Sequence, residues 1–89
     1  MSHLYNLIHF EVAEDNKHKY VAVLQNHKTL SVRRIPFGDI RYQQYFDQLG
    51  YYSHLNHLDP QRRRLYKIRH NGEQRVPYTA GWFSWTYLW

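Results

Sequence analysis

The sequence predicts an α+β domain: a small three-stranded antiparallel sheet, then two short helices and an aromatic C-terminal tail packed back on them. Three observations carry this. The first half alternates polar and apolar residues at the strand period. Asp59-Pro60 opens a helical stretch, because Asp suits the N-cap and Pro the first helical position. The last eight residues, Trp82-Phe83-Ser84-Trp85-Thr86-Tyr87-Leu88-Trp89, are too apolar to remain in water.

Leu4, Ile8, Phe10 and Val12 share one parity, interrupted by Asn6, and read as a first strand facing the core. Tyr20-Val21-Ala22-Val23-Leu24 is a second, strongly β-favouring run. Leu30 and Val32 alternate with Ser31 and Arg33 in a third, ended by Pro36 and Gly38. The polar links Glu14–Lys17 and Gln25–Lys28 are short enough to force hairpins and so a meander. Asp39 is then positioned to cap a helix over residues 40–49, stopped by Gly50. Tyr42, Tyr45, Phe46 and Leu49 would form its apolar stripe. Residues 53–58 link it to the helix at Pro60, which Asn71-Gly72 ends.

Eighty-nine residues make a single domain, 1–89, with no internal repeat or linker. Four Phe, nine Tyr and three Trp supply the interior that a chain this small cannot build from a few Leu and Ile. Without cysteine there is no disulfide, thiolate nucleophile or Cys-based zinc site, and the redox compartment is left open. The N-terminal segment lacks the basic and apolar regions of a secretory signal, and no stretch is long and apolar enough to span a membrane.

The chemistry concentrates in the helix after Asp59. Arg62, Arg63, Arg64, Lys67, Arg69 and His70 fall within nine positions of a chain with net charge +5. They are the candidate surface for a partner protein or a polyanion. Arg62, Tyr66 and Arg69 share one helix face, while Leu65 and Ile68 share the neighbouring one and are expected to point at the core. In the alternative arrangement the Arg heads pair with Asp39, Asp47 or Asp59 and the helix is a solvated face. His54, His57 and His70 invite a metal, but small structural sites usually include Cys, and none is assigned. His54-Leu55-Asn56-His57 has the letters of an HNH nuclease without its spacing. Ser53 and Ser84 lack the base and orienter of a nucleophile. No phosphate loop is present, and no enzyme activity, cofactor or small-molecule substrate is expected.

Four segments carry a resemblance: KYVAVL, IPFGDIRYQQYFD, YYSHLNHLDPQRRRLYKIRH and YTAGWFSWTYLW. In that order, from about Lys19 to Trp89, they resemble a family of short uncharacterised proteins of large eukaryotic DNA viruses and some tailed phages. Phe37-Gly38-Asp39, Tyr52-Ser53-His54, Asp59 with Arg62-Arg63, Arg69-His70, and Phe83-Ser84 with Leu88-Trp89 are the most specific parts. The resemblance implies a context, a virion or infected host cell, and no mechanism. The leading expectation is therefore a non-enzymatic minor virion structural or assembly component that contacts other viral structural proteins. The alternative is a small protein that binds DNA or RNA through the Arg62–Arg69 helix.

Overall fold

A computed structural model describes residues 4–89; residues 1–3, which begin the N-terminal segment read above, lie outside the described residues. Strands β1 (Tyr5–Val12), β2 (His18–Asn26) and β3 (Val32–Asp39) form an antiparallel sheet in the order β1-β2-β3. Both hairpin turns are shaped by short polar side chains that satisfy the backbone locally. Asp15 Oδ1 accepts from the Lys17 and His18 amides, and Asn26 Oδ1 accepts from those of Lys28 and Thr29. Pro36 is tolerated because β3 is an edge strand.

The register of β1 departs from simple alternation. Leu7 faces Leu24 but His9 faces Val23, so Ile8 is bulged out of the ladder and exposed. The bulge shifts the parity, and the inward positions are Tyr5, Leu7 and Phe10. On the inner face Tyr20, Ala22, Leu24 and Phe37 meet Phe83 and Leu88. Phe83 lies in a stack, with Phe37 on one side (centroids 5.3 Å) and Tyr78 on the other (5.7 Å), while Phe10 meets its edge at 5.8 Å. On the outer face Val21 and Val23 are buried in the central strand, and the Glu11–Arg34 ion pair (2.5 Å) spans them from β1 to β3.

The two helices are α1 (Pro60–Arg69) and α2 (Ala80–Tyr87). Helix α1 begins where Asp59-Pro60 predicts: Asp59 Oδ1 accepts from Gln61 and Arg62 N–H. Helix α2 is the aromatic tail, capped by Thr79 Oγ1, which accepts from Trp82 N–H at 3.2 Å. The tail is thus docked as expected. Phe83 and Leu88 are fully buried, and Trp82 and Trp85 half-buried.

The helix expected over residues 40–49 does not form. That segment is irregular, Tyr42 and Phe46 are exposed, and the buried residues are the polar Gln44 and Asp47. Its amides are taken by distant partners. Phe46 N–H and Gln48 N–H donate to the Leu88 and Tyr87 carbonyls at the end of α2, and Gln44 N–H donates to the Leu55 carbonyl. Asp39 caps a local turn instead, accepting from Arg41 N–H and holding its guanidinium.

A buried polar network fixes this segment against β2. Lys19 Nζ donates to Gln44 Oε1 (2.5 Å), and Gln44 Nε2 donates to the Tyr52 carbonyl (2.9 Å) and Asn56 Oδ1 (2.6 Å). Asn56 Oδ1 also accepts from Asp47 N–H. The Asp47 carboxylate accepts from the Tyr20 hydroxyl and from the Leu49 and Tyr52 amides. Each buried polar atom of Lys19, Gln44 and Asp47 has a partner, so burying them carries no orphaned group.

Gly38 makes the junction possible. It sits at φ +76°, and a β-carbon there would lie 2.9 Å from Leu88 Cδ1 and 3.2 Å from Lys19 Cβ. The left-handed backbone alone costs an L-residue about 1–2 kcal/mol. Gly38→Ala should lower stability by at least that amount in urea unfolding. An unchanged midpoint would show that β3 and α2 are not packed this closely.

The candidate partner-binding surface on helix α1 and the adjoining groove

Helix α1 does not lie on the sheet. It is held at its inner side by Tyr66, whose ring stacks flat on Trp89 (4.2 Å, 2°) and on the other side against His70 (4.1 Å, 20°). Burial raises the Tyr66 phenol well above its ordinary value. Leu65 and Ile68, expected to face the core, are 42% and 61% exposed. With Tyr66 inward, the 3.6-residue period turns both of them outward, and no element among the described residues covers that side.

The cations of α1 separate into three groups. Arg63 and Lys67 are withdrawn toward the aromatic tail. The Arg63 guanidinium lies 4.7 Å from the Tyr45 ring centre and its Nε donates to the Trp89 carbonyl, and Lys67 Nζ lies 5.0 Å from the Trp85 ring. Burial lowers the Lys67 pKa, with nearby Arg63 adding to the effect. Arg64 stands exposed beside Leu65 and Ile68. Arg62, Arg69 and His70 point to the opposite side, where Arg62 donates to Gln43 (2.8 Å) and His70 pairs with Glu73. None of the α1 arginines pairs with Asp39, Asp47 or Asp59 among the described residues: Asp39 holds Arg41, Asp47 holds Tyr20, and Asp59 caps the helix.

Because Trp89 and the 40–44 segment hold α1 away from the sheet, a groove of about 900 Å³ remains between them. It is lined by the start of β2, the end of β3, residues 41–43, one side of α1 and, from α2 and the C-terminus, Ala80, Gly81, Ser84, Leu88 and Trp89. The helix face read from the sequence, Arg62, Tyr66 and Arg69, is the face that lines it. Sequence reasoning missed Lys17 and Lys19 on the sheet side and Arg41 beside the Gln43 that Arg62 meets. No spacing could have flagged them, since they lie 21 or more positions before Arg62 and are brought near it only by the fold.

The histidines are not gathered. No three His, Asp or Glu side chains among the described residues are placed to share a metal ion. His57 Nδ1 accepts from Asp59 N–H (2.9 Å), leaving the proton on Nε2, which is buried without a partner between Tyr45 and Trp89. Desolvation lowers its pKa, as does the nearby Arg62. No helix among the described residues is long and apolar enough to cross a membrane. No protein family, curated protein or solved structure matches the chain.

Burial also lowers the Lys19 pKa, from 10.5 to about 8, against the opposing pull of Asp47 and Asp39. A lysine whose pKa is lower folded than unfolded destabilises the fold below the lower value and ceases to do so above the higher one. The stability should therefore rise as the pH goes from 8 toward 10. Above about 10 the tyrosines reverse the trend, because Tyr20 and Tyr66 have raised pKa values and ionise more readily when unfolded. Urea midpoints across this range measure the slope. Lys19→Met should flatten the rise, and a rise that persists in the variant would assign it to another group.

Proposed function

We propose that this chain is a small, non-enzymatic structural or assembly protein of a virus particle. It docks on a neighbouring virion protein through the outward side of α1. The observation that carries the reading is the exposure of Leu65 and Ile68 beside Arg64, on a helix whose inner side is already filled by Tyr66. Exposed aliphatic side chains beside an Arg suit the desolvated centre of a protein interface, where charged residues other than Arg are depleted. The matching partner surface is an apolar depression rimmed by carboxylates, complementary to Arg64 and to the net charge of +5. Withdrawal of Arg63 and Lys67 onto rings weighs against a continuous phosphate-binding stripe along the helix. The virion or infected host cell as the setting rests on the resemblance to short proteins of large DNA viruses and tailed phages.

The chain should co-purify with particles from infected cells at a fixed ratio to a major virion protein. Leu65→Asp with Ile68→Asp should reduce that incorporation roughly tenfold or more, as expected for central interface positions, while leaving the melting temperature nearly unchanged. Absence of the wild-type chain from purified particles would sink the virion reading. Normal incorporation of the double variant would move the docking surface elsewhere.

A further inference from the structure

The groove behind α1 is a second surface, independent of the outward face. Its charge is unbalanced. Lys17, Lys19, Arg41, Arg62 and Arg69 line it against Asp39 and Glu73. Both carboxylates are already engaged, Asp39 by Arg41 and Glu73 by His70. Arg62 bonds only the neutral Gln43, and neither Lys17 nor Arg69 makes an ion pair among the described residues. The surplus cations stand on both walls, Lys17 on the sheet side and Arg62 and Arg69 on the helix side. Tyr42 also lines the groove, 61% exposed as a residue, with the Arg41 guanidinium 5.3 Å from its ring centre.

We propose that this groove binds single-stranded nucleic acid, its phosphates between the Lys17 wall and the Arg62–Arg69 wall and a base stacked on Tyr42. Cations flanking an exposed ring in a concave channel are what a single strand requires, since the backbone needs charge and an unstacked base needs a flat apolar surface. Duplex DNA requires the converse shape, a helix or ribbon that protrudes into its groove. Here the Arg62–Tyr66–Arg69 face of α1 is turned into a cleft. An acidic peptide would use the same cations but has no need of the exposed ring.

The test uses the full chain and a fluorescent mixed-sequence DNA strand of about 12 nucleotides, with binding read by anisotropy between about 50 and 200 mM salt. Three to four neutralised phosphates should give a log–log salt slope of roughly −2 to −3. Arg62→Gln with Arg69→Gln should weaken binding at least tenfold, and Arg62→Lys with Arg69→Lys should retain most of it. Tyr42→Ala should cost roughly fivefold or more, the loss of one stacked base. Arg33→Gln with Arg64→Gln removes the same charge outside the groove and should change affinity less than about twofold. The proposal is overturned if the outside pair costs as much as the groove pair, which would mean binding by net charge alone. It is likewise overturned if a poly-glutamate peptide or a duplex of equal charge binds as tightly, or if no binding appears at micromolar protein in the low-salt buffer. Leu65→Asp with Ile68→Asp leaves the groove intact, so failure of the docking reading and failure of this one are distinguishable.

Discussion

The Lys19–Gln44–Asn56–Asp47–Tyr20 network is the constraint on which the remaining architecture depends. It places a lysine, a glutamine and an aspartate beneath the surface of a chain whose aliphatic content is low. Unpaired, such groups would cost several kcal/mol together. Paired, they give the nineteen-residue stretch between β3 and Asp59 one conformation, although its only regular element is a single 3-10 turn, Ser53–Leu55. That stretch in turn receives the carbonyls at the end of α2, so the network also sets where the tail lies. The tail supplies Phe83 and Leu88 to the sheet and Trp89 to α1. A polar interaction at one corner of the sheet therefore determines the position of a helix that does not touch it extensively.

The consequence for function is an asymmetry of α1. Tyr66, Arg62, Arg63 and Lys67 attach it to the domain, and the side bearing Arg64, Leu65 and Ile68 is left exposed. One side becomes apolar with a single arginine, the other becomes a wall of a cationic groove, and of the two cations between them Arg63 lies over Tyr45 and Lys67 over Trp85. A run of charge that is uniform in sequence is thus divided by the helix period into surfaces of different chemistry. The outward face exposes Leu65 and Ile68 beside one cation, and the groove carries more cations than carboxylates.

The local signals were legible where the physics is local. The first hairpin link, the Asp59-Pro60 helix start and the apolar tail depend on neighbours within a few positions, and each appears where the residues require. The second link is displaced to residues 27–31, because β2 runs on through Asn26 and Leu30 takes a left-handed turn conformation (φ +63°) instead of opening β3. The shared face of Arg62, Tyr66 and Arg69 followed from helix geometry alone. The misplaced elements are those where a distant partner outbid a local preference. Residues 40–49 carry a good helical stripe, yet Asn56, Tyr20 and the α2 carbonyls claim their side chains and amides. Ile8 matches the core parity by count, yet the bulge opposite β2 turns it out. Leu65 and Ile68 look like core, yet Tyr66 offers the larger surface to bury, and the helix has one attached side.

The sequence by itself determined the α+β class, the order of its strands, the position of α1 and the need to bury the tail. These follow from backbone preferences and from the cost of leaving apolar rings in water, which are properties of short segments. Only the tertiary structure decided that the tail is itself the second helix, that Lys19 is buried, and that Lys17 and Arg41 line one groove with Arg62 and Arg69. Those outcomes depend on pairings between residues far apart in the chain. Each is chosen by the requirement that every buried polar group find a partner in the same packed arrangement, a condition that no single segment contains.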